Sequence, residues 1–185
     1  MSGKIVSYLN DLPNEPTIYL FVGIKEKIFS AYKTNEDIDY AYIGESSNLK
    51  ARVNQHLFKH DTSVTTGTST ACINPDYVKE VWWWEHPKFS DDNFRKAAEL
   101  IATEVRNPTL RSQSKATSKS KEILKEDNVF CEEMRSLFKG EPTGKYIIKS
   151  LKDAWKEIEK IKVLEEKIDY LESEVKVIRN KLTEK

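Results

Sequence analysis

Tyr40 to Ile43 is a run of aromatic and β-branched residues closed by Gly44, and Ser46, Ser47 and Asn48 follow at once. This succession is the strongest constraint in the chain. It reads as a strand that turns directly into a helix capped by one of those small polar side chains. Leu49, Val53 and Leu57 recur at i, i+4 and i+8, and predict a helix from about Leu49 to His60 with those residues as its buried stripe.

The flanking sequence extends the pattern. Pro16 to Val22 reads as a strand entered from a Pro-Asn-Glu-Pro turn signal, Lys27 to Tyr32 as a second strand and Tyr40 to Ile43 as the third. Residues 61–71 are small and polar, as in a loop, and Tyr77 to Trp84 is the next strand. Ser90 or Asp91 is placed to cap a helix reaching Arg106, buried along Phe94, Ala98, Ile101 and Val105. Asn107-Pro108 stops it. Strands and helices in this order predict a small α+β domain.

Past Leu110 the character changes. Residues 111–121 are rich in Ser and Lys and read as a linker or arm, and a short helix is expected over Val129 to Phe138, ended by Gly140 and Pro142. From Tyr146 onward neither Gly nor Pro occurs, which permits one helix to the end of the sequence. Ile161, Leu164, Ile168, Leu171, Val175, Ile178 and Leu182 alternate by three and four, the spacing of a coiled-coil seam, and predict homodimerisation through this helix. A helix folded back on its own domain is the competing reading. The expected division is residues 1–112, a globular domain; 113–144, a basic linker and short helix; and 145–185, the long helix.

In this 185-residue chain no run of 18 apolar residues occurs, and no charged-then-apolar start resembles a secretory signal. No membrane span and a cytoplasmic location are expected. Cys72 and Cys131 lie far apart without metal-ligand spacing, so two reduced thiols are expected. Net charge is zero, yet Arg106, Arg111, Lys115, Lys119, Lys121 and Lys125 face only Glu122 between Val105 and Lys125. A local basic stripe of this kind binds phosphates even on a neutral molecule.

Two phenols, a guanidinium and an imidazole stand where they can surround one phosphate. Tyr19 is mid-strand, Tyr42 ends the strand expected beside it, and Arg52 and His56 are one helical turn apart on the face of Asn48. Taken singly, each has an ordinary explanation: strand tyrosines fill cores, and an Arg/His pair on a helix is solvated. Glu99 lies off the line through Phe94, Ala98, Ile101 and Val105, so periodicity makes it a surface carboxylate. Trp82-Trp83-Trp84 offers stacking surface, but alternation turns Trp83 away from the other two.

Together these residues resemble the GIY-YIG nuclease family. Thr17-Ile18-Tyr19 and Tyr42-Ile43-Gly44 stand at the two signature tripeptides, with Arg52 ten residues after Tyr42, His56 four further on, and Glu99 followed by Pro108. The resemblance covers about residues 15–112. It implies a domain with a central three-stranded antiparallel sheet flanked by helices, and metal-dependent hydrolysis of phosphodiester bonds in double-stranded DNA. It implies that Glu99 binds Mg²⁺ or Mn²⁺, that Tyr19 takes a proton from water with help from His56, that Arg52 stabilises the phosphate, and that Tyr42 orients the water or a phosphate oxygen. Asn48, Lys50, Arg106, Arg111, Lys115 and Lys119 are the expected DNA contacts. A catalytically silent DNA-binding module of the same fold, and a coiled-coil interaction protein, are the alternatives. The chain departs from the family at Thr17, where Gly is usual, at Glu45, often basic, and at Arg111, usually Asn.

Overall fold

A computed structural model of the chain describes residues 3–23, 39–58, 73, 75, 78–110, 116–148, 160 and 163–176, with residues 39–41 described by backbone only. Contacts divide the chain into two units, Met1–Lys149 and Ser150–Lys185.

The first unit is built on a five-stranded mixed sheet. Its strands are β1 (Lys4–Val6), β2 (Thr17–Gly23), β3 (Asp39–Ser46), β4 (Val78–Trp84) and β5 (Gly144–Ile147), in the order β1-β5-β4-β2-β3. β3, β2 and β4 pair antiparallel, β4 pairs antiparallel with β5, and β1 lies parallel to β5. The sheet is therefore five-stranded and mixed, not the expected three-stranded antiparallel one. The two additional strands left little mark on the sequence. β1 has three residues, and β5 lies where freedom from Gly and Pro after Tyr146 suggested a helix. The expected strand over Lys27 to Tyr32 and the loop over 61–71 lie outside the described residues.

Helix α1 (Leu49–Val53) opens where expected. The Asn48 side chain accepts from the Ala51 amide at 2.9 Å, and the Ser46 hydroxyl closes the turn before it by accepting from the Asn48 amide. The helix does not run on regularly to His60: over Asn54–Phe58 it widens into a π-turn. α2 (Asp92–Arg106) is capped by Asp91, whose carboxylate accepts from the amides of Asn93 and Phe94. It ends at Asn107 in the left-handed conformation (φ 44°), a role that Asn tolerates better than most residues.

α3 (Ser118–Glu126) and α4 (Asn128–Lys139) follow, both within the first unit. Ser118 to Lys121, read as linker, form the first turn of α3. Phe130, Cys131, Met134 and Phe138 of α4 close a core with Ile18, Leu20, Val22, Ile43 and Trp84 of the sheet and Ala97, Ala98, Ile101 and Ala102 of α2. The boundaries expected near residues 112 and 144 are thus interior to one unit, because the helices after the basic stretch supply apolar residues that the sheet face needs.

Alternation divides the sheet. Ile18, Leu20, Ile43, Trp82 and Trp84 meet the helices α2 and α4, while Tyr19, Phe21, Tyr42, Gly44, Val81 and Trp83 point to the other face. Trp83 is set apart from its two neighbours as the alternation predicted. In the second unit, Lys160 and residues 163–176 are helical and exposed. The structure holds a single chain, and no coiled coil is described in it. No helix among the described residues is long and apolar enough to cross a membrane.

Candidate functional site

The site is built on the sheet face opposite the α2/α4 core. Cross-strand register places Tyr19 opposite Gly44 on one side and Trp83 on the other. Gly44 and Tyr19 are in unusually close approach: a Cβ on Gly44 would lie 2.4 Å from the Tyr19 hydroxyl oxygen. The Tyr19 ring lies across the bare backbone of Gly44, so only glycine suits that position. Trp83 does the same over Gly144 of β5, where a Cβ would come within 2.1 Å of its ring. The Trp83 indole N–H then donates to Glu85 at 2.8 Å.

Tyr19, Tyr42 and His56 form an aromatic triangle. The ring centroids are 6.2 Å apart for Tyr19–Tyr42, 6.5 Å for Tyr19–His56 and 6.3 Å for Tyr42–His56, and Phe21 closes the base at 6.1 Å from His56. All three rings are buried. The π-turn carries the imidazole; one wide turn begins at Asn54, and His56, Leu57 and Phe58 are all buried in it.

Burial pushes the Tyr19 phenol well above its ordinary pKa, because desolvation opposes the phenolate. Tyr42, Glu99 and Glu45 push in the same direction, and the Arg52 guanidinium pulls the other way. Arg52 of α1 and Glu99 of α2 thus act electrostatically on the phenol whose ring packs with those of Tyr42 and His56.

Glu99 corrects the sequence reading. It is buried, at 3% exposure, where periodicity expected a surface carboxylate. The stripe through Phe94, Ala98, Ile101 and Val105 is only part of α2's buried arc. Arg95, Glu99 and Ala102, spaced i, i+4 and i+7, form its other border and are also buried. A buried carboxylate that acts on a buried phenol is a candidate functional group.

Arg95 is the residue that sequence reasoning missed. Its guanidinium is buried and donates to Glu45 of β3, to the Phe89 carbonyl at 2.9 Å and to Asp92 at 2.6 Å. One turn before Glu99, it ties the helix that carries the carboxylate to the strand that carries Tyr42 and Gly44. The unusual Glu45 was the available signal: an acidic residue beside the site calls for a buried cation.

The segment after α2 also reaches the site. Asn107 and the buried Pro108 turn the chain so that Leu110 forms a bridge to Tyr42, along the outer edge of β3. Thr17, at the departure from the first tripeptide, is fully buried, and its hydroxyl has no hydrogen-bond partner among the described residues.

The expected DNA contacts divide. Asn48 and Lys50 lie at the start of α1 beside Arg52, although the Asn48 side chain is engaged as the helix cap. Arg106 is drawn to the opposite face of the sheet. It donates to the Gly140 carbonyl at 2.7 Å and lies over the rings of Trp84 and Trp82, 5.3 and 5.8 Å from their centroids. That packing separates it from the Tyr19 cluster. Lys119 is exposed on α3, and Arg111 and Lys115 lie outside the described residues.

Among the described residues no three His, Cys, Asp or Glu side chains converge as a metal cage. The donor set fits a different kind of site. A single carboxylate such as Glu99, with water and phosphate oxygens completing the shell, is the coordination Mg²⁺ commonly accepts. Comparison of the chain with protein-family models, with curated proteins and with solved structures returns no match.

Proposed function

We propose that this chain is a divalent-metal-dependent endonuclease of the GIY-YIG type, hydrolysing phosphodiester bonds in double-stranded DNA. One observation carries the reading. Tyr19 of β2 packs ring to ring with Tyr42 of β3 and His56 of the π-turn, and its buried phenol feels the charges of Arg52 from α1 and Glu99 from α2. A guanidinium, an imidazole and a buried carboxylate around two strand tyrosines support a functional site over a plain core.

In this proposal Arg52 binds the scissile phosphate and offsets the charge that develops on it. Tyr42 orients a phosphate oxygen or the attacking water by hydrogen bonding. Glu99 would hold a Mg²⁺ or Mn²⁺ ion, which would supply Lewis-acid stabilisation of the phosphate. The raised pKa of Tyr19 weighs against the phenol as the base, since it stays protonated at neutral pH. His56, packed against both tyrosines, is the group better suited to take the water's proton, and Tyr19 positions that water as a donor.

Self-association through the C-terminal helix supplies two such sites, one for each strand of a duplex. The experiment that tests the activity is incubation of the purified full chain with supercoiled plasmid in Mg²⁺, Mn²⁺ or EDTA. Nicking or linearisation with metal and none with EDTA is the expected result. Binding without turnover on plasmid and branched DNA would leave the silent binding module in its place.

A further inference from the structure

The C-terminal helix displays an apolar stripe that the described chain leaves uncovered. Leu164, Ile168, Leu171 and Val175 alternate by four and three, and each is between 55 and 58% exposed. Such a seam on a largely charged helix, with only Val163 and Tyr170 exposed off it among its large hydrophobic residues, calls for a covering surface. The chemistry along its borders identifies that surface.

In heptad terms Ile168 and Val175 occupy a positions, and Leu164 and Leu171 occupy d positions. The sequence keeps the frame on both sides, with Ile161 at a and Ile178 at d. β-Branched residues at a with Leu at d is the distribution that favours two parallel strands. The flanking positions agree. Lys160 and Lys167 stand at g, and Glu165 and Glu172 at e, all of them exposed. In a parallel in-register pair each g residue faces the e residue five further along the other strand. Lys160 then meets the partner's Glu165, and Lys167 the partner's Glu172. The sequence supplies a third opposite-charge pair in the same frame, Glu174 with Arg179. An antiparallel pair sets e against e and g against g, which over the described span brings Glu165 against Glu172 and Lys167 against Glu174. One repulsive and one attractive pairing there contrast with the all-attractive parallel pairings and favour the parallel orientation.

We propose that this helix pairs with the same helix of a second copy of the chain as a parallel, in-register, two-stranded coiled coil. The inference rests on the proposed self-association and not on the proposed catalysis. It deepens the former by fixing partner, strand number and direction.

The test uses the full chain. Sedimentation equilibrium gives the mass, and a Leu164→Cys variant, placed away from the middle of the seam, reports direction through oxidative crosslinking mapped by peptide mass. The expected result is a dimer mass, a 164–164 disulfide, and at least tenfold weaker association for Glu165→Lys/Glu172→Lys. A monomer mass at all concentrations, or a trimer or tetramer, overturns the proposal. A dimer that forms no 164–164 link overturns its direction. None of these readouts depends on DNA cleavage, so a failure here is distinct from a failure of the nuclease reading.

Discussion

The Tyr19 ring crosses the backbone of Gly44 so closely that a Cβ at Gly44 would lie 2.4 Å from the phenol oxygen. The two residues are cross-strand partners on β2 and β3, and Gly44 is two residues after Tyr42 on the same face. The glycine therefore sets where the Tyr19 phenol lies. Gly44→Ala is expected to displace the Tyr19 ring, lowering stability by about 1–3 kcal/mol, as overpacking in a core does. Activity on plasmid should fall further than stability explains. Urea unfolding beside a cleavage assay checks this, and an unchanged urea midpoint would show that the close approach is absent.

Arg95 and Glu45 lock α2 to β3, and neither is free to lose the other cheaply. Arg95→Ala leaves Glu45 half-buried without its ion pair and strips the Phe89 carbonyl and Asp92 of a donor. Removing one member of such a partly buried pair costs about 1–3 kcal/mol, less than for a fully buried one. Chemical denaturation measures that loss. Arg95→Met combined with Glu45→Gln should recover part of it, since the second change removes the stranded charge. Equal stability of the single and double variants would contradict the coupling.

The Tyr19 phenol should resist ionisation. Its folded pKa lies above its unfolded value, chiefly through burial. The contribution to stability is therefore fully present below the ordinary phenol range near 10, and is lost as pH rises through the folded pKa. An alkaline ultraviolet titration of the metal-free protein, compared with Tyr19→Phe, should show no difference in phenolate absorbance near pH 10 while the protein is folded. A phenolate signal that disappears in Tyr19→Phe at lower pH would restore Tyr19 as a base.

Asn107 occupies left-handed backbone at the end of α2, and the turn it makes leads to the Leu110 bridge with Tyr42. Asn107→Gly should be tolerated, because glycine takes this conformation freely. Asn107→Val, β-branched, should lower stability by about 1–2 kcal/mol. Thermal unfolding of the two variants distinguishes them, and equal midpoints would argue against the strained turn.

Much of the site was legible because its residues sit on elements with strong local signals. β2, β3, β4, α1 and α2 announce themselves through apolar runs, the Asn48 and Asp91 caps and the Asn107-Pro108 stop. Tyr19, Tyr42, Arg52 and His56 are placed by those elements alone. Glu99 was legible only through the resemblance, since a helix buried over half its circumference hides a polar border that a single apolar stripe does not reveal. β5 was lost for a related reason. Its four residues take their strand conformation from pairing with β4 and β1, a long-range effect that Gly144 and a following Gly-free sequence do not disclose. Arg106 looked like a DNA contact by charge, yet its guanidinium packs on Trp82 and Trp84, which are distant in sequence.

Glu99 carries the central claim, that a buried carboxylate at this site holds a catalytic cation. The most direct measurement compares wild type with Glu99→Gln, which preserves shape and removes charge. It follows Mn²⁺ binding by electron paramagnetic resonance and plasmid nicking in the same samples, with circular dichroism to verify folding. The account predicts that the folded variant loses both Mn²⁺ binding and at least a hundredfold of the nicking rate. A folded Glu99→Gln variant that binds Mn²⁺ and cuts as the wild type does would contradict it.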